Sequence, residues 1–138
     1  MIINEAPYDK TLKIRQQVMY PDKDLDFVKL PDDGNGLHIG VFENEELVSV
    51  MSLFLQGRDV QFRKLATVSQ HQRKGYASAL MQWLAEYAND VKLDRLWCNA
   101  RIEATSFYKK FGYVETAETF ENNGHQYVVM ERKFATPR

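Results

Sequence analysis

The sequence predicts a mixed α/β fold, an α+β arrangement with a mostly antiparallel sheet flanked by helices. Three observations predict it. Three consecutive runs between residues 37 and 68 are rich in β-branched and aromatic residues and are separated by tight turns. A helical apolar stripe follows over 74–89. Two further runs flank Asn122-Asn123-Gly124, a strong hairpin signal.

In order, the chain reads βα, β-meander, α, β, α, β-hairpin. Residues 9–19 form the first helix, with Asp9 as its cap and Leu12, Val18 and Met19 as apolar positions. Pro21 ends it. Residues 21–36, rich in Asp, Pro and Gly, form a loop with one short turn. Residues 37–42, 47–55 and 60–68 are the three strands of the meander, joined by turns at 43–46 and 57–59. Residues 74–89 form the second helix, with Tyr76, Leu80, Trp83, Leu84 and Tyr87 as its core stripe. Residues 95–100 form a strand. A third helix spans 103–111 and ends at Gly112, the residue type favoured at C′. Residues 114–120 and 126–134 are the closing hairpin, and 136–138 fray.

The length of 138 residues fits one domain spanning 1–138, and an apolar fraction of 44% argues against disorder. A net charge of −1 gives no basic face for nucleic acid and no attraction to an anionic membrane. No apolar run approaches the ~20 residues needed to span a bilayer. One cysteine, Cys98, excludes an internal disulfide, and the start of the chain lacks a basic, apolar leader, so the expected location is cytoplasmic.

The most informative stretch runs from Val68 to Ala77, between a strand and an amphipathic helix. A helix start carries unpaired N–H groups and partial positive charge, which together favour a phosphate. Gly75 permits close backbone approach, Ala77 keeps the first turn narrow, and Arg73 and Lys74 add charge. A dinucleotide fingerprint needs three spaced glycines, and a Walker loop needs Gly-Lys-Ser/Thr; neither is present. The same residues also describe an ordinary strand–helix turn.

Gln72-Arg73-Lys74-Gly75-Tyr76-Ala77 resembles the Gln/Arg-x-x-Gly-x-Gly/Ala signature of the GNAT superfamily of N-acetyltransferases. Ala104 to Tyr113 is similar to that family's Ala-x-x-Phe/Leu-Tyr-x-x-x-Gly-Phe/Tyr segment. Leu96 to Arg101 resembles small members with Cys-Asn-Ala-Arg at this strand, and Tyr127 to Met130 fits the closing hairpin. The resemblance covers nearly the whole chain in order.

It implies a GNAT-like sheet whose middle strands splay, with acetyl-CoA as co-substrate and no metal. The pantetheine arm would pair with the backbone of Leu65, Ala66, Thr67 and Val68. The pyrophosphate would sit on Gln72, Arg73, Lys74, Gly75, Tyr76, Ala77 and Ser78. Asn99 would bond the pantetheine, and Tyr108 would be the general acid that protonates the leaving thiolate. The implied activity is acetyl transfer to a primary amine by direct attack. An oxyanion donor is expected from a backbone N–H within Ala66–Val68.

Direct attack needs a neutral amine, and alkyl amines have a pKa of about 10. Many relatives place a Glu on the strand before the phosphate loop, whereas 60–68 carries no carboxylate. His38, His125 and Glu103 are substitutes as base, each otherwise a surface residue; a water relay is another route. Arg63 and Arg101 together suit a substrate carboxylate. Cys98 is read as packing, and Lys109 and Lys110 as a solvated face, one of them within reach of the CoA phosphates. The missing carboxylate also fits a non-catalytic acyl-CoA sensor on the same fold. The amine, small molecule or peptide, stays open, as does homodimerisation, which is common among relatives.

Overall fold

The computed structural model describes residues 1–134; the expected fraying of 136–138 lies outside them. Ten main elements follow the chain: β1 (Ile2–Glu5), α1 (Tyr8–Met19), β2 (Leu37–Glu43), β3 (Glu46–Gln56), β4 (Asp59–Thr67), α2 (Tyr76–Asp90), β5 (Arg95–Arg101), α3 (Thr105–Lys109), β6 (Val114–Asn122) and β7 (His125–Lys133). The strands form a sheet in the order β1-β2-β3-β4-β5-β7-β6. Pairing is antiparallel for β1–β2, β2–β3, β5–β7 and β6–β7, and parallel for β4–β5 over Asp59–Gln61 with Arg95–Trp97. The chain gathers into two compact units, one of residues 1–54 and 63–84, the other of 55–62 and 85 onward.

In the first unit the β2–β3 turn places Asn44 and Glu45 at φ 51° and 68°. Two successive left-handed residues match the right-handed twist of the flanking strands. α1 starts after Pro7, and no side chain caps it. Asp9 sits in its first turn, so the expected cap is corrected: its carboxylate complements the helix dipole instead. The Thr11 hydroxyl and N–H both donate to the Pro7 carbonyl, each at 3.0 Å. The face of α1 that is buried carries Thr11, Leu12, Ile14 and Arg15. Ile14 joins Ala6, Leu47, Val50 and Ala66 in the core, with Val18 and Met19 packed against it. The 21–36 loop holds two short 3₁₀ turns, at Asp26–Val28 and Asp33–Asn35, rather than one.

In the second unit Leu96, Cys98 and Ala100 are buried alternately along β5, with Cys98 and Ala100 opposite the buried Met130 and Val128 of β7. The β6–β7 turn uses Asn123 and Gly124 at φ 51° and 79°, as the hairpin signal requires. The predicted 103–111 helix is broken into a 3₁₀ turn, Ile102–Ala104, followed by α3. Gly112 ends it at φ 88°. Its N–H donates to Lys109 O at 3.1 Å, and Tyr113 N–H donates to Tyr108 O at 3.3 Å. That bond pair is the Schellman arrangement, which needs a left-handed residue at C′. It also fixes the backbone that carries Tyr108.

Among the described residues no helix is long and apolar enough to cross a membrane.

Candidate active site

The loop from β4 to α2 is held by its own backbone. His71 N–H donates to Val68 O at 2.8 Å, and the Gln72 side-chain amide donates to Thr67 O at 3.1 Å. Arg73 and Gly75 then take left-handed conformations, φ 65° and 87°, on either side of Lys74. Such alternation turns successive N–H groups toward one concavity, an anion nest. Ala79 N–H donates to Gly75 O at 2.9 Å, so α2 begins at that carbonyl. The N–H groups of Tyr76, Ala77 and Ser78 therefore have no partner within the helix. A Cβ added at Gly75 would meet nothing within 4 Å, so the nest is open, and the Gln72, Arg73 and Lys74 side chains around it are exposed. This cradle fits a pyrophosphate.

The Tyr76 side chain is engaged outside this loop. Its hydroxyl donates to Glu43 Oε2 at 2.8 Å, tying the start of α2 to the end of β2. The expected core stripe is corrected at this position: Leu80, Met81, Leu84 and Ala88 are buried, whereas Tyr76, Trp83 and Tyr87 are half-buried.

On β4, Lys64 has φ 58° inside the strand, a local kink that the sequence did not signal. Beyond it, Val68 N–H donates to Val48 O at 2.9 Å. The Ser49 hydroxyl donates to Ala66 O at 3.1 Å and lies 2.8 Å from the Thr67 hydroxyl. Val68 and Ala66 thus spend backbone groups on β3. Alternation along the strand turns the N–H groups of Leu65 and Thr67 away from β3. Of the four residues expected to meet a pantetheine arm, Leu65 and Thr67 are the two whose N–H groups this alternation turns away from β3. Buried Ser49 was missed; its place in an apolar run gave no signal.

Tyr108 sits on α3 against aromatic rings: Phe107, Phe62 and Tyr113 at centroid distances of 5.2, 5.8 and 6.3 Å. Its hydroxyl makes no hydrogen bond among the described residues. Burial, with Cys98 beside it, pushes the phenol above its ordinary range, so the proton is retained at neutral pH. Burial alone raises the Cys98 thiol to about 12, which keeps it an unreactive core group, as expected. Asn99 and Arg101 are exposed on β5; Glu103 and His125 are exposed as well.

A buried polar network in the first unit was not foreseen. Arg15 Nη1 and Nη2 donate to Asp33 Oδ2 and Oδ1 at 2.8 and 3.0 Å. The same guanidinium donates to Val28 O at 3.1 Å and to Ser52 Oγ at 2.8 Å. Asp33 Oδ2 also accepts from Tyr8 Oη at 2.6 Å and Leu30 N–H at 2.9 Å. His38 faces Ser52 across β2–β3, with Nδ1 2.7 Å from Ser52 Oγ and Nε2 3.1 Å from Asp33 O. A carbonyl only accepts, so Nε2 carries a hydrogen and donates to Asp33 O. The expectation that His38 is a surface residue is corrected: it is buried, and both ring nitrogens are engaged. Arg15 lies three residues from Leu12 and from Val18, so helical spacing alone places it on the buried face; its charge hid it.

Arg63 Nη1 lies 3.4 Å from Asp32 Oδ1, with the guanidinium over the Phe54 ring at 5.5 Å.

The model of the acetyltransferase (GNAT) domain matches residues 17–134. The uncharacterized N-acetyltransferase YitI of Bacillus subtilis is 25% identical over 140 residues, covering 94% of each chain. The structure is similar to the ribosomal-protein-S18-alanine N-acetyltransferase of Escherichia coli, with TM-score 0.83, 14% identity and coverage of 99% and 96%. It is also similar to a GNAT family acetyltransferase of Elizabethkingia anophelis with acetyl-CoA bound, with TM-score 0.72, 15% identity and coverage of 96% and 97%. With a family match over residues 17–134 of its 138, the chain belongs to the GNAT acetyltransferase family.

Proposed function

We propose that the protein transfers an acetyl group from acetyl-CoA directly to a primary amine. The observation that carries this reading is the open anion cradle of Arg73–Ser78, built from two left-handed residues and a helix start at the position of the family signature. The family is a family of acetyltransferases, and the relative from Elizabethkingia anophelis binds acetyl-CoA.

Each residue then has a task. The amides of Arg73 to Ser78 hold the pyrophosphate, with Arg73 and Lys74 supplying charge. Leu65 and Thr67 offer backbone N–H groups to the pantetheine arm and to the carbonyl oxygen as negative charge develops on it. Asn99, exposed on β5, bonds the arm. Tyr108 gives its proton to the leaving sulfur. One C–N bond forms and one C–S bond breaks; the amine enters neutral, its proton passes to water as the amide forms, and Tyr108 regains from water the proton it gave to sulfur. Tyr108 favours turnover over mere acyl-CoA binding, because its free hydroxyl has no structural task.

Thermal unfolding with acetyl-CoA, CoA, ATP and NADH in parallel tests the assignment. Ligand at 100 times its Kd stabilises by about 2.7 kcal/mol, and a domain of this size then unfolds roughly 8–10 °C higher. The expected result is a rise with both CoA species only, followed by thiol release when amines are added. No rise with either CoA species at saturation overturns the assignment.

A further inference from the structure

Asp32 and Asp33 are neighbours with opposite fates. Asp33 points inward, where Arg15, Tyr8 and the Leu30 N–H hold it. Asp32 points outward, with its side chain 47% exposed, toward Arg63 of β4, 31% exposed. The backbone that carries Asp32 is fixed on both sides. Asn35 N–H donates to Asp32 O and Asp33 N–H to Leu30 O, both at 3.0 Å, and the Asp33 side chain is anchored in the core. Arg63 is steadied in turn by Phe54, across whose ring it lies.

A carboxylate and a guanidinium are thus presented side by side on rigid backbone, yet they meet only at 3.4 Å. An exposed ion pair of this kind contributes little to stability, so a ligand opens it easily. Arg63 stands two residues before Leu65, whose N–H faces away from β3. Here the chain presents paired opposite charges beside the backbone proposed to receive the acetyl carbonyl. Resting on the transferase reading above, we propose that the acceptor is a small zwitterion, an amine that carries its own carboxylate. Asp32 takes the ammonium group and Arg63 takes the carboxylate.

The charges select this class from both sides. A polyamine meets the repulsion of Arg63, and a plain carboxylic acid meets that of Asp32. In an amino acid the two charged groups are separated by one or two carbons, a span suited to partners already at ion-pair distance. The flat fork of Arg63 matches a carboxylate at two points, which an amide cannot reproduce.

The test is thiol release with each of the common amino acids, β-alanine and their carboxamides, alongside the acetyl-CoA thermal shift. The expected result is that at least one amino acid is used about tenfold or more better than its carboxamide, the factor expected for a hydrogen-bonded charge. Arg63→Gln raises KM for the amino acid and abolishes that preference. Asp32→Asn raises KM for acid and carboxamide alike. Both variants keep the wild-type thermal shift with acetyl-CoA. Equal use of acid and carboxamide, a preference that survives Arg63→Gln, or no turnover of any member while acetyl-CoA still stabilises the protein overturns the zwitterion assignment and leaves the cofactor assignment standing. Absence of any acetyl-CoA shift overturns both.

Discussion

The guanidinium of Arg15 meets the carboxylate of Asp33 at two points, 2.8 and 3.0 Å, with both side chains almost fully buried. A buried pair gains little over an apolar pair of the same volume, because desolvation offsets the attraction. Its consequence is specificity of place: it locks the 21–36 loop onto α1 and β3, and that loop carries Asp32.

Breaking the pair from one side is therefore costly. Arg15→Met leaves a buried carboxylate without its cation, and a loss of about 3–5 kcal/mol is expected. Adding Asp33→Leu removes the stranded charge and restores part of that loss. Urea unfolding of the two variants checks this; an Arg15→Met midpoint close to wild type would show that the pair locks nothing.

The same site sets an acid limit. Burial by itself raises the Asp33 carboxyl, but the hydrogen bonds from Arg15, Leu30 N–H and Tyr8, with the Arg15 charge, outweigh it and hold the group at about 2. The folded value lies below the ordinary value of about 3.9. The group's stabilisation, about 2 kcal/mol, is therefore complete above pH ~5 and is lost as pH falls from there through 2. Urea unfolding at pH 6, 4 and 3 should follow this course, and Asp33→Asn should flatten it.

Tyr108→Phe removes the proton donor without removing packing. Loss of a general acid lowers kcat by about 10²–10⁴-fold. Stability and the acetyl-CoA thermal shift should change little, since the hydroxyl has no hydrogen-bond partner among the described residues. Because burial raises the phenol, kcat of the wild type should not fall through the ordinary tyrosine range near pH 10. Unchanged kcat in the variant would remove Tyr108 from the mechanism.

Gly75→Val separates the cradle from the fold. The new side chain meets no protein atom within 4 Å of its Cβ, so the cost to the fold is the left-handed backbone, about 1–2 kcal/mol. It occupies the space assigned to the pyrophosphate, so the acetyl-CoA thermal shift should disappear while the protein stays folded by circular dichroism.

Cys98, raised to about 12 by burial, should resist iodoacetamide at pH 8 in the native protein and react once unfolded. Cys98→Ala should keep acetyl transfer. Rapid alkylation of the native protein would contradict the packing at β5.

What the sequence by itself determined is what contiguous residues decide. The hairpins at Asn44-Glu45 and Asn123-Gly124 and the stop at Gly112 depend on local backbone preference. Of the cradle of Arg73–Ser78, the left-handed glycine, the two cations and the helix start are adjacent in the chain; the left-handed turn at Arg73 was not marked. The helix that carries Tyr108 was legible because its motif is local too. Tertiary structure decided which charges are buried and which are presented. Asp33 lies 18 residues from Arg15, Ser52 lies 37 from Arg15, and Asp32 lies 31 from Arg63. Their meeting depends on the register that sets His38 opposite Ser52 and on the loop folding against β3 and β4. Desolvation and pairing arise only when distant segments close together, so a sequence that marks Arg15 and His38 as polar does not say that both are core.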